Sequence, residues 1–194
     1  MNQSNISIIL VDSQLPENIG LSSRAMFNFG IEELRLVSPK IEWPSEKAHA
    51  VAVDSKNIID NTIVYKDLKE ALHDIDYSVA FTARRRDMNK DIITNEKLID
   101  EINSKNKKQK IGIVFGGEAS GLTNEQISLV SKCVTINTDD NFSSLNLSHA
   151  VTVFCYSLFR STNKNSDISI NNLDAEVKNN ELLNFFSHLE IELE

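Results

Sequence analysis

Cysteine, proline, glycine and tryptophan are all scarce in this 194-residue chain, which has two Cys, three Pro, six Gly and one Trp. Two cysteines cannot build a disulfide scaffold. Cys133 and Cys155 sit among apolar residues with no CxxC spacing, so buried free thiols are expected, with neither disulfide nor metal. His49, His73, His149 and His188 are scattered without ligand spacing, which argues against a metal site and a histidine base. Low glycine and proline exclude collagen-like and low-complexity classes. No apolar run approaches the ~20 residues that cross a bilayer. The start, MNQSNISIILVD, lacks a basic segment ahead of a long apolar one, so a cytoplasmic protein is expected.

Positive charge is also in deficit, with 20 Lys and Arg against 28 Asp and Glu and a net charge of -8. That balance excludes a protein that coats nucleic acid through many phosphate contacts. It leaves room for an enzyme with locally concentrated positive charge. Arg84, Arg85 and Arg86 are one candidate cluster, and Lys105, Lys107, Lys108 and Lys110 another. The lysine run reads better as a solvated surface loop.

What is present is a 41% hydrophobic, 25% charged composition, with short β-branched runs alternating with longer amphipathic stretches. This order predicts an α/β fold, a mostly parallel sheet flanked by helices. Strands are expected at Ile6 to Val11, Leu34 to Val37, Thr62 to Tyr65, Ser78 to Phe81, Ile111 to Phe115 and Val134 to Ile136. Helices are expected from about Asn18 to Phe29, over Ala48 to Val53, from an Asp67 cap to Leu72, and from about Ser144 to Phe159. Thr123 to Gln126 has the T-x-x-Q form of a capping box. After Arg160 the chain turns polar and rich in Asn and Ser. The expected division is a domain over 1–160, a linker over 161–180 and the start of a helical extension over 181–194. Leu182, Phe185, Phe186, Leu189 and Leu193 recur there at helical spacing, so that face needs a partner chain or a continuation to pack on.

Three segments carry the chemical signal: Asn18-Ile19-Gly20 followed by Arg24, the loop Gly116-Gly117-Glu118-Ala119-Ser120-Gly121, and Asn141-Phe142-Ser143-Ser144-Leu145-Asn146. Each places small and hydrogen-bonding residues where a strand gives way to a helix, which is where ligands gather in open α/β sheets. The glycine loop lacks the Gly-Lys-Ser/Thr of a P-loop and the spacing of a dinucleotide fingerprint. Taken singly, each segment is also explained by turn geometry or by N-capping. Capping accounts for one residue of the third segment and does not call for all four of its Asn and Ser.

Together, ENIGLSSRAMFNFGIEELRLVSP, VFGGEASGLTNEQ and INTDDNFSSLNLSHAVTVFCYSLF resemble, in order and spacing, the three signature motifs of the SPOUT superfamily of RNA methyltransferases. The resemblance covers residues 6 to 160. Within the superfamily the chain is most similar to the TrmJ-type tRNA 2′-O-methyltransferases, whose substrate is the cytidine or uridine at the start of the anticodon loop. The segment ELLNFFSHLE resembles the region that follows the catalytic domain in that group. The resemblance implies a C-terminal trefoil knot, a homodimer, a tRNA substrate, and S-adenosylmethionine as cofactor with S-adenosylhomocysteine as product. Carried over by motif, the cofactor contacts would be Phe81, Thr82, Ala83, Gly116, Ile136, Ser143, Ser144 and Leu145. The catalytic positions would be Asn18, Arg24, Glu118, Ser144 and Asn146. Arg24, Arg84 and Arg86 would contact RNA.

Methyl transfer is an in-line displacement, so the enzyme must align the 2′-oxygen and help remove its proton. A guanidinium rarely gives up a proton, which favours Arg24 as a clamp on the neighbouring phosphate, with that phosphate or a water as acceptor. Ser144 and Asn146 would orient the ribose, Asn18 would orient Arg24, and Glu118 would order the glycine loop through backbone hydrogen bonds. A surface ion pair with Asp87 is the competing reading of Arg84. Gly117 replaces a common arginine and Phe81 a small residue, so a weaker substrate grip and a narrower pocket are expected. The alternatives are 2′-O-methylation of rRNA or of another tRNA position, and a noncatalytic RNA-binding relative.

Overall fold

The computed structural model describes residues 5–83, 90–106, 108–163 and 177–193. Seven parallel strands form one sheet in the order β3-β2-β1-β6-β4-β7-β5. They are β1 (Ile6–Val11), β2 (Glu33–Val37), β3 (Ile63–Tyr65), β4 (Tyr77–Phe81), β5 (Ile92–Thr94), β6 (Ile111–Gly116) and β7 (Lys132–Thr135). The continuous apolar runs of β1 and β6 fit the centre of a parallel sheet, where both faces are covered. Alternate side chains serve two cores. Ile8, Leu10, Val79 and Ile113 face one side, and Ile9, Val11, Ala80 and Val114 the other.

The first core is roofed by α1 (Pro16–Asn28), α2 (Glu46–Ala52), α3 (Lys56–Asp60), α5 (Asn95–Ser104) and α7 (Leu147–Thr162). The second lies under α4 (Leu68–Ala71) and α6 (Asn124–Ser128). The edge strands β3 and β5 have only three residues each, and they leave Ile63 and Ile92 about half exposed.

Several boundaries differ from expectation. Pro16 opens α1, where its fixed φ suits the first helical turn and its missing N–H costs nothing. The last helix of this unit begins at Leu147, because Asn146 caps it; Ser144 stays outside. It runs to Thr162, two residues into the expected linker. The segment of β5 and α5 was not expected. Lys105 sits over the Tyr77 ring and Lys110 pairs with Asp74, at the amino ends of the strands and away from their carboxyl ends.

Arg35 on β2 is buried, and every charge around it is used. It donates to Glu33, to Asp74 and to the Ala71 carbonyl, and its guanidinium lies 5.6 Å from the Tyr65 ring centre. A buried guanidinium is tolerated only with such pairing. The Arg35 contact, followed by Lys110, holds the Asp74 carboxyl well below the usual carboxylate range despite its burial.

The chain divides into two compact units, residues 1–163 and 164–194. In the second, α8 (Asn179–Leu193) is one amphipathic helix whose Leu183, Phe185 and Phe186 are exposed. No described helix is long and apolar enough to cross a membrane.

Candidate active site

The carboxyl ends of β4, β6 and β7 open into one cleft of about 170 Å³. All eight residues expected to touch a cofactor border it. Phe81, Thr82 and Ala83 come from the end of β4, Gly116 from β6, and Ile136 from beyond β7. Ser143, Ser144 and Leu145 come from the loop before α7. The glycine loop forms one wall through residues 116 to 122, and Leu147 and Ala150 of α7 complete the opposite one. Those two helix residues were not expected, although their three-residue spacing at a helix start is the available signal.

The apolar floor rests on aromatic packing. Phe81 stacks on Phe115 at 4.7 Å and meets Phe154 edge-on at 5.7 Å. Phe81 is 8% exposed, so most of its ring belongs to the core and only an edge enters the cleft. The expected narrowing by this residue is therefore slight. Behind it, burial pushes the Cys155 thiol up to about 12, which makes it inert.

Glycine at 116 has a tighter reason than cofactor access. A Cβ there would lie 2.4 Å from the backbone of Gly121 and Leu122, so the loop can close on itself only without a side chain. Gly121, at φ 65°, supplies the left-handed turn. At 117, a Cβ would lie 2.3 Å from the Asp12 carbonyl oxygen. An arginine side chain at that position has no room in this chain.

Glu118 does order backbone, though the backbone of a different segment. Its carboxylate accepts from the N–H groups of Gln14 (2.9 Å) and Leu15 (3.4 Å), in the turn between β1 and α1. It also accepts from Asn18 Nδ2 at 2.7 Å. Asn18 is 4% exposed, and its Oδ1 accepts from Asn146 Nδ2 at 3.1 Å. Asn146 Oδ1 in turn accepts from the Ser148 N–H and hydroxyl. One chain of hydrogen bonds thus joins the three sequence segments, and it sets the amide orientations of both asparagines. Asn18 makes these contacts to Glu118 and Asn146 and none to Arg24 of its own chain. Asn146 is first of all the N-cap of α7.

Ser143 and Ser144 are exposed, and their hydroxyls make no hydrogen bond among the described residues, so both are free for a ligand. Asn141, by contrast, is occupied by Asp139 Oδ1. Arg24 is exposed on α1, does not border the cleft of its own chain, and has no polar partner among the described residues. Arg84, Arg85 and Arg86 lie outside the described residues. No group of three or more His, Cys, Asp or Glu among the described residues could hold a metal ion.

A cleft with an apolar floor, a backbone-rich wall and free serine hydroxyls suits a flat heterocycle joined to a ribose. Among the described residues its lining carries one carboxylate, that of Glu118.

Residues 5–156 match the SpoU rRNA methylase family. The chain is 38% identical to the tRNA (cytidine-2′-O-)-methyltransferase TrmJ of Methanocaldococcus jannaschii over 181 residues, covering 92% of this chain and 77% of the relative. It is 30% identical over 189 residues to the tRNA (cytidine/uridine-2′-O-)-methyltransferase TrmJ of Salmonella typhimurium, at 96% and 77% coverage. The crystal structure of TrmJ from Z. mobilis ZM4 superposes with a TM-score of 0.76 at 33% identity, covering 96% of this chain and 78% of that one. The family match across most of the chain, together with these relatives, shows that the protein belongs to the SpoU rRNA methylase family.

Proposed function

We propose that the protein is an S-adenosylmethionine-dependent 2′-O-ribose methyltransferase of tRNA, acting in the cytoplasm on a cytidine or uridine at the start of the anticodon loop. The observation that carries this reading is that the glycine loop and the segment before α7 line one cleft, and that Asn18 of the first segment is tied to both through Glu118 and Asn146 in a single hydrogen-bonded chain. The TrmJ names of the relatives support the substrate. The residues present fit the cofactor: Phe81, Ile136, Leu145 and Leu147 would enclose its adenine, and the hydroxyls of Ser143 and Ser144 would meet its polar groups. When bound, it supplies an electrophilic methyl group on a sulfonium.

The chain's own residues then have one main task, alignment. Ser144 orients the ribose, and the Asn146 cap fixes the start of α7 against Asn18. Arg24 clamps the neighbouring phosphate in a bidentate grip and holds the 2′-hydroxyl in line, while that phosphate or a water takes the proton. Arg24 serves the cleft of a second copy of the chain in this reading. Support comes from its neighbours: Leu21 and Phe27 on α1 and Tyr156 and Phe159 on α7 are exposed, and the two helices pack together. Such an apolar face around an unpaired arginine suits a homodimer contact. The trefoil knot belongs to the same proposal, supported by a cleft whose walls are the loop after β6 and the segment after β7. The domain division remains a catalytic part over 1–160 and a helical extension beyond the linker.

Transfer of a tritiated methyl group to tRNA tests the reading. Wild-type tRNA should be methylated, and a transcript with a 2′-deoxynucleotide at the start of the anticodon loop should not. Labelling of the deoxy transcript would move the target to another position, and labelling of rRNA alone would favour the substrate in the family's name.

A further inference from the structure

The turn between β1 and α1 is fastened to the glycine loop by two carboxylates pointing in opposite directions. Glu118 reaches from the loop to the turn. Asp12 reaches from the turn to the far side of the loop, where its Oδ2 accepts from Gln126 Nε2 at 3.0 Å. Its Oδ1 pairs with Lys40 Nζ at 2.7 Å. Gln126 is the third residue of α6, and its Oε1 accepts from the Thr123 N–H at 2.8 Å, so one amide serves both the capping box and the clasp. Asp12 holds φ 54°, a left-handed conformation that Asp adopts more readily than most residues. Its carbonyl oxygen occupies the space that Gly117 leaves empty.

The turn's backbone already binds the end of β2 and the segment after it, through Asp12 N–H to Val37 O and Lys40 N–H to Ser13 O, and the Asp12 side chain adds an attachment toward α6. None of Asp12, Lys40 and Gln126 borders the cleft, so their effect on chemistry is indirect.

We propose that Asp12 is a positioning residue for methyl transfer: its clasp on Gln126 and Lys40 holds the β1–α1 turn against the glycine loop and keeps Asn18 aligned on Glu118. This rests on reading the cleft as the methyl-transfer site. The test exchanges the polarity of the clasp. Gln126→Glu keeps an acceptor for the Thr123 N–H, as a capping box requires, but turns a carboxylate oxygen toward Asp12. The double variant Asp12→Asn, Gln126→Glu restores a hydrogen bond with donor and acceptor interchanged.

Amide hydrogen exchange reads the alignment directly, because the Gln14 and Leu15 N–H groups are the ones Glu118 holds. Q126E should speed their exchange about tenfold while the sheet amides of Ile8 and Ile113 keep their wild-type rates. Its kcat should fall about fivefold to tenfold, with the KM for S-adenosylmethionine within about twofold of wild type. The double variant should recover most of both losses. Lys40→Met, which removes only the exposed partner, should give a smaller change in the same direction. Wild-type exchange at Gln14 and Leu15 in Q126E, or losses that the interchange does not repair, would overturn the proposal. If the wild-type protein methylates no RNA, the functional reading fails, and the exchange rates alone decide whether Asp12 holds the turn.

Discussion

Replacing Glu118 by Gln exchanges one oxygen for an NH2 group and reaches every segment of the site. The carboxylate now accepts three hydrogen bonds, from Gln14 N–H, Leu15 N–H and Asn18 Nδ2. A glutamine keeps one oxygen and turns an NH2 group toward one of those donors, so at least one contact becomes donor against donor. Hydrogen bonds to a charged group contribute about 1.5–3 kcal/mol each, and the half-buried position of Glu118 puts the net loss near the lower figure. If that loss falls on alignment in the transition state, kcat drops about tenfold to thirtyfold. The glycine-loop wall would meet the cofactor mostly through backbone, so its KM should stay within about threefold. Tritium transfer to tRNA at saturating cofactor measures kcat, and a thermal melt should show a loss of about 2–6 °C. A variant that melts lower yet keeps wild-type kcat would refute the argument, because Glu118 would then serve the fold alone.

Arg24→Ala should lower kcat at least about a hundredfold without moving the melting point or cofactor affinity, and Arg24→Lys should recover only part, because an ammonium cannot make the bidentate contact. Mixing R24A with E118Q chains should restore about a quarter of wild-type activity if each cleft takes its arginine from the partner, and none if the arginine serves its own chain. Gly116→Ala forces the loop backbone apart, so calorimetry should show S-adenosylhomocysteine binding weakened more than about tenfold. Asp74 has its folded pKa depressed, first by Arg35, so its contribution is present above the ordinary carboxylate range and is lost as the pH falls below it. Urea midpoints should therefore fall between pH 7 and pH 3 more steeply for the wild type than for Asp74→Asn.

The central strands were legible because a parallel interior strand must be apolar on both faces, and ISIILV and IGIVF have little else to be. The cleft residues were legible through their motifs, and the cleft brings the eight together. β5 was hidden by its length, three residues behind a polar stretch. The following α5 did carry a signal in its Thr94 cap and in Leu98, Ile99 and Ile102. The start of α7 was placed too early, because Ser144 and Asn146 are both good caps and only packing chooses between them. The Asp12 clasp had no local signature, since its hydrogen bond joins residues 114 positions apart. The reason for Gly116 was likewise invisible, because the atoms it must avoid belong to the far end of its own loop.

The most direct test is a crystal structure of the protein with S-adenosylhomocysteine. The account predicts the product bound in the cleft between Phe81, Gly116 and Leu145, with Arg24 of a partner subunit at its mouth. Product seated elsewhere, or a cleft that stays empty at saturating concentration, would contradict it.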